Sequence, residues 1–434
     1  MTAPPLPRTL VVNFNAPELN ECALALAHAG RLARYVRAYV NKGRGWERAL
    51  AATPLAGRFY GSTFGRRLMD DPALARLTHE AGVLSDVLAA TAMRLHVLPD
   101  ALRRRWTNAL IKSLRESVAH SAARHAADVD CVVAYEGFAL PAFAAQRASG
   151  QGRTVLNYPV AHHRVRRRER LEEIERQPAF ASTWPDFDDW PDGHEQCLDD
   201  EIALADTVLV GSTYAADSFV AEGIPRSRMK VIPYGVDLRT FTPPSAAERA
   251  RRGHDGFQAI FSGQMTQRKG LSYLLEGWRR FARDGARLTI VGQTVGDPRV
   301  LAPYAHLFRH VPHQSRPELA RHYREADVFV FPTLVEGMPL VVLEAMACGL
   351  PVIVTANGPA DIVRDGVDGF IIPARDPDTI AEKLDLLHRD RALREQMGAN
   401  AAQRAAEFGW SAYAEKVKDC LASLCAPAAL AAAA

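Results

Sequence analysis

Apolar residues in this chain fall into short unbroken runs, separated by longer stretches in which they recur every three or four positions. The first run, "TLVVNF" (9–14), has the length of a buried strand, and "ELNECALALAHAGRLARYVRAYV" (18–40) after it has the spacing of a helix. Residues 43–130 are helical in pattern and dotted with arginine, with no clear strand. Strand-like runs return at "DCVVAYEG" (130–137), "RTVLNYP" (153–159), "DTVLVGS" (206–212) and "MKVIPYG" (229–235), with helical stretches between them. This alternation predicts a parallel sheet covered by helices on both faces.

The polar, twice-prolined "TPPSAAERARRGHDG" (242–256) interrupts the pattern and is the best linker in the chain. Beyond it the alternation restarts with "FQAIFSGQ" (257–264), "ARLTIVGQ" (286–293), "DVFVFPT" (327–333), "PVIVT" (351–355) and "GFIIP" (369–373). A long helical stretch, 378–408, follows the last of these. The expected organisation is a first domain over 1–241, a linker over 242–256 and a second domain over 257–408. Residues 409–434 are expected to form a helix packing back on the first domain, with a frayed alanine tail. Two doubly wound parallel-sheet domains facing each other across a cleft would bind a ligand at the carboxyl ends of their strands.

A length of 434 residues suits two or three domains, and the composition is that of an ordinary globular protein. No run of about 18 apolar residues and no secretory pattern at the start are visible, so the expected location is cytoplasmic. The six cysteines form no C-x-x-C pair or His/Cys cluster, and no metal is expected. Net charge is +3, but residues 1–170 carry 25 Lys+Arg against 13 Asp+Glu, an excess of 25 − 13 = +12. That half could meet an anionic substrate or the inner membrane face as a peripheral contact. Nucleic acid is not expected, because no recognition motif or aromatic-rich basic strand accompanies the charge.

The chemistry concentrates in "FPTLVEGMPLVVLEAMACGLPVIVT" (331–355). A buried strand ends at Pro332, and Glu336 stands in the turn before a helix. Gly337 permits close backbone approach, and Pro339 suits the first helical position. Free amides and the macrodipole at that N-terminus suit a phosphate. Glu344, one turn on, is placed to accept hydrogen bonds from paired hydroxyls. A phosphate flanked by two polyhydroxyl groups, as in a nucleotide sugar, would use all of these.

This stretch resembles the E-x7-E signature of the retaining glycosyltransferases of family 4, which have the GT-B fold. "IFSGQMTQRKGLSYLLEGW" (260–278), "HVPHQSRPELARHYREADVFVFPT" (310–333), "TANGPADIVRDGVDGFIIPARDPDTIAEKL" (355–384) and "VIPYGVD" (231–237) resemble further segments of that family. The resemblance is strong over about 205–415 and loose before it. It implies no tightly bound cofactor and a UDP-, GDP- or ADP-sugar as donor substrate. Glu344 would accept from the ribose, and Glu336 would hold the transferred sugar. The backbone of Gly337, Met338, Pro339 and Leu340 would lie against sugar and phosphate. Lys269 would neutralise the diphosphate, alongside the Gly263 turn. Gln264 stands where the family usually has arginine, and Arg268 is the candidate replacement. Residues 310–314, with Pro312, would read the base.

In the first half the family's Gly-rich turn is replaced by "NFNAPELNE", which leaves Asn15 and Glu136 as acceptor-side candidates. His162 or His163 follows "RTVLNYP" at roughly the place of a family histidine near the reaction centre. The run Arg164 to Arg170 is expected to begin an exposed helix. The implied activity is metal-independent sugar transfer, with retention, to a hydroxyl of a glycan, lipid-linked or small-molecule acceptor. Alternatives are another GT-B enzyme (a nucleotide-sugar epimerase or a phosphorylase) and a non-catalytic nucleotide-sugar-binding protein.

Overall fold

The computed structural model describes residues 5–425 apart from 55–56, 58–59, 62–63, 65–66, 93–99, 151, 185–192, 246–247 and 249–255. Most of the expected linker and the alanine tail after 425 lie outside the described residues. One sheet comprises β1 (Thr9–Asn13), β2 (Leu32–Arg37), β3 (Thr78–Glu80), β4 (Cys131–Tyr135), β5 (Arg153–Asn157), β6 (Thr207–Val210) and β7 (Met229–Val231). Its order is β3-β2-β1-β4-β5-β6-β7. The second comprises β8 (Gln258–Ser262), β9 (Arg287–Val291), β10 (Phe308–Val311), β11 (Val328–Phe331), β12 (Val352–Thr355) and β13 (Gly369–Ile372), in the order β10-β9-β8-β11-β12-β13. Pairing is parallel on both sides of β1 and of β8, and β1 and β11 are buried throughout, as a sheet covered on both faces requires.

By internal contacts the chain divides into two compact units. One is Met1–Asn157, Asp188–Leu209 and Ala414–Ala434; the other is Tyr158–Phe187 with Val210–Tyr413. Residues 158–187 and 210–241, which sequence reading counted with the first half, are thus counted with the second.

In each sheet strand order reverses once, between β1 and β4 and between β8 and β11. Loops leaving the carboxyl ends of the two strands at such a point diverge, and that divergence opens a ligand site.

Three local expectations fail for identifiable reasons. The helix expected over 18–40 stops at His28, and the chain returns as β2. Gly30, at φ 65°, terminates it: Gly30 N donates to Ala27 O (3.0 Å) and Arg31 N to Leu26 O (2.8 Å), satisfying the last carbonyls. The unforeseen strands β3 and β10 lie at sheet edges, where one-sided burial leaves little apolar signal; in β10 only Val311 is buried. The stretch 378–408 is broken at Asp390, whose carboxylate caps a new helix by accepting from Leu393 N at 2.9 Å.

The helix His163–Arg176 is exposed at Arg164, Arg167 and Arg168, as expected, but it buries its other face. Arg166 and Arg170 are buried, and the Arg166 guanidinium lies 5.6 Å over the Tyr158 ring.

Candidate functional site

Both stretches singled out for chemistry emerge at the β8/β11 reversal. After β8 comes Gly263 and, a few residues on, the short 3-10 turn Gln267–Lys269. After β11 come Pro332, Thr333 and the loop to Glu336. The two loops are tied through one carbonyl: Arg268 O accepts from Leu334 N at 2.9 Å and from Thr333 Oγ1 at 3.1 Å. Gly270, at φ 72°, closes the turn so tightly that a Cβ there would stand 1.9 Å from Pro332 O. Gly270→Ala should therefore lower stability by more than the ~1–2 kcal/mol of left-handed backbone strain alone, read as a fall in Tm.

This union places two cations on one carboxylate. Arg268 Nη1 donates to Glu336 Oε1 at 2.8 Å and to Val335 O at 2.9 Å, and Lys269 Nζ donates to the same Oε1. The Lys269 ammonium also lies 4.9 Å over the Phe331 ring. Burial works against the Glu336 charge, but Arg268 and Lys269 outweigh it and hold the carboxyl below the ordinary range. Burial pushes the Lys269 amine down to about 8, partly offset by Glu336.

Glu344 sits in the second turn of the helix Leu340–Ala347 and is 8 % exposed. Burial raises its carboxyl to about 7, with Arg316 pulling the other way. No hydrogen-bond donor among the described residues reaches this carboxylate. Its helix begins without a side-chain cap, because Pro339 occupies the N-cap with extended backbone (ψ 111°) and not the first helical turn as expected. A helix N-terminus with free amides, a charge-paired carboxylate before it and an acidic group one turn in can receive an anion flanked by hydroxyls.

The remaining candidates are distributed as follows. Gly263, at φ 136°, donates its N–H to Val291 O at 2.9 Å, while Gln264 is exposed. Pro312 is exposed and its carbonyl accepts from the Gln314 amide at 2.8 Å; His310 Nε2 lies 2.9 Å from Gly292 O. Gly337 is required where it is, since a Cβ would stand 1.8 Å from Pro159 O. Its carbonyl accepts from Ser212 Oγ, and Met338 beside it is buried.

The loop from Pro159 thus runs against Gly337 and leads into His162 and His163, whose rings stack at 4.3 Å. His162 Nδ1 accepts from Arg164 N at 3.2 Å, capping the helix and leaving the ring proton on Nε2. Burial first, then His163 and neighbouring arginines, push His162 down to about 3, so the ring is neutral near pH 7. His163 Nδ1 lies 3.2 Å from the Tyr158 hydroxyl.

In the other unit, Asn15 and Glu136 follow the two strands at the β1/β4 reversal. Asn15 is exposed and Glu136 half-buried, and Phe14 stacks on Phe138 there at 5.3 Å. The glycine-free turn after β1 is closed by Asn13: its Oδ1 accepts from Ala16 N at 2.8 Å and its Nδ2 donates to Ala16 O at 2.9 Å.

Residues 256–390 match the family described as "Glycosyl transferases group 1". This segment is a glycosyl transferases group 1 domain. A D-inositol 3-phosphate glycosyltransferase of Frankia alni is 36% identical over 256 residues, covering 53% of this chain and 62% of the relative. The homonymous protein of Paenarthrobacter aurescens is 36% identical over 219 residues, covering 46% and 54%. The matches span less than two thirds of these curated relatives. Among solved structures, Anabaena HepE in complex with UDP-glucose has a TM-score of 0.61 at 13% identity, covering 96% of this chain and 100% of that one. Sucrose-phosphate synthase of Thermosynechococcus elongatus has a TM-score of 0.60 at 19% identity, covering 96% and 98%. The fold is GT-B.

Within the group 1 domain and the segment beside it, sequence reading overlooked Gln267, Glu173 and Arg375. Gln267 and Glu173 are each 1 % exposed and hydrogen-bonded to one another at 2.7 Å. Nothing in the chain order, in which they stand 94 positions apart, announces the pair.

Proposed function

We propose that this chain transfers a sugar from a nucleotide-diphosphate-sugar donor to a hydroxyl acceptor, retaining the anomeric configuration and needing no metal. One observation carries the reading: Arg268 and Lys269 share the Glu336 carboxylate at the strand-order reversal, with a free helix N-terminus and buried Glu344 immediately beyond. In this reading Glu344 accepts from the ribose hydroxyls, and the first amides of its helix meet the phosphate. Glu336 and Gly337 hold the sugar. As the glycosidic bond breaks, negative charge grows on the departing diphosphate. Lys269 and Arg268 are already desolvated and fixed beside that position, so they stabilise the charge without reorganising. Neutral His162 would orient the sugar or the acceptor.

The relatives' names include D-inositol 3-phosphate, so a phosphorylated polyol is the first acceptor to try, before glycan and lipid-linked acceptors. The excess of +12 over residues 1–170 (25 − 13) favours an anionic acceptor and a peripheral membrane position on the cytoplasmic side. No described helix is long and apolar enough to cross a membrane.

The test is a panel of UDP-, GDP- and ADP-sugars with and without acceptors, run with and without a chelator, with product configuration read by NMR. Acceptor-dependent consumption of one donor, unchanged by chelation and giving the donor's own anomeric configuration, is expected. Acceptor-independent isomerisation would point to an epimerase, and phosphate-dependent glycan cleavage to a phosphorylase. Tight donor binding without turnover would leave a non-catalytic binding protein.

A further inference from the structure

Among the described residues, Arg375 is the one non-glycine with positive φ (63°). An L side chain occupies that conformation at a cost, and the cost persists only where surrounding structure enforces it. Here the enforcement is visible. Arg375 Nε donates to Glu173 Oε2 at 2.8 Å and its Nη2 to Glu169 Oε2 at 2.7 Å, so the guanidinium spans two carboxylates one helical turn apart. The second oxygen of Glu173 accepts from Gln267 Nε2 at 2.7 Å.

Gln267 is fully engaged. Its Nε2 also reaches Ser272 Oγ (2.6 Å), its Oε1 accepts from Ser272 N (3.0 Å), and its own N–H donates to Thr183 Oγ1 (3.0 Å). It is the first residue of the turn whose next two residues are Arg268 and Lys269. A buried amide bonded on every side leaves that turn a single arrangement, since any shift would strand a buried donor.

We propose that Arg375 and Glu173 are positioning residues, acting through Gln267 to hold Arg268 and Lys269 against Glu336. They touch no part of the donor. Glu173 pairs with Arg375 and orients the glutamine; Arg375 in turn keeps the Glu173 carboxylate aimed. The inference rests on the donor reading given above.

In Arg375→Gly glycine accepts φ 63° without strain, which offsets part of the cost of leaving the buried Glu173 carboxylate without its cation. Measured per folded molecule, at a temperature well below the Tm of the variant, donor kcat/KM should fall about ten- to a hundredfold, chiefly in kcat. Glu173→Ala should cost a similar factor, and the double variant little more than either alone. A readout independent of activity is competitive acetylation of Lys269 across pH, followed by mass spectrometry. Its midpoint, expected near about 8 in the parent, should move up toward the ordinary lysine value in Arg375→Gly as the turn loosens. Wild-type kcat/KM and an unmoved Lys269 midpoint in Arg375→Gly would overturn the proposal. So would a loss of activity that only tracks a loss of folded protein. If the parent turns over no donor, the donor reading fails, while the Lys269 midpoint still decides whether the network positions the turn.

Discussion

Glu344→Gln is expected to make the protein more stable above pH 7 while abolishing its use of a nucleotide sugar. The folded-state carboxyl sits at about 7 because burial penalises its charge, against an unfolded value of 4.5. Between those values the folded chain binds more protons than the unfolded one, so stability falls as pH rises, and the penalty is complete above about 7. Removing the charge should recover up to ~3 kcal/mol at pH 8 and almost nothing below pH 4. Chemical denaturation of both proteins at pH 4 and pH 8 checks the difference. The same variant loses the acceptor for the ribose hydroxyls, so donor affinity should collapse. A variant no more stable at pH 8 would contradict the electrostatic account, and one that still used the donor would contradict the site.

Lys269→Ala should lower donor kcat/KM by about 10²–10³, the scale expected when a preorganised charge is removed from a desolvated site. Arg268 remains on Glu336, so the fold should survive and the loss should be catalytic. The parent's pH profile follows from the two shifted groups. Glu344 must be ionised, which sets a rising limb near about 7. Lys269 must be protonated, which sets a falling limb near about 8. A narrow bell in kcat/KM is expected. Lys269→Arg should flatten the alkaline limb, since guanidinium stays charged, with reduced activity because its fork does not reproduce the ammonium's point contact. An alkaline limb that persists in Lys269→Arg would assign it to another group.

Signals that are local in the chain were readable without coordinates. Alternating apolar runs and helical stretches announced two parallel sheets, since strands buried on both faces need continuous apolar sequence. The order Glu336, Gly337, Pro339, Glu344 placed an acidic group, a permissive backbone, a helix start and a second acidic group within one strand–helix junction, and such a junction is a single local structure. Where burial is one-sided, as in β3 and β10, the pattern faded and the strands were missed. Where a helix ends through backbone capping at Gly30, a continuing apolar period concealed the break.

What remained hidden was everything set by contact between distant segments. That Arg268 and Lys269 meet on Glu336 depends on the β8/β11 reversal, because strand order is chosen by packing and leaves no local trace. The neutral ring of His162, the raised carboxyl of Glu344 and the lowered amine of Lys269 are products of burial, and burial belongs to the folded state. Arg375, Glu173 and Gln267 show the same division most plainly. Each is an unremarked polar residue in the chain, and only the tertiary structure, by burying Glu173 and Gln267 and bringing Arg375 onto them, turns them into one network with a single permitted arrangement.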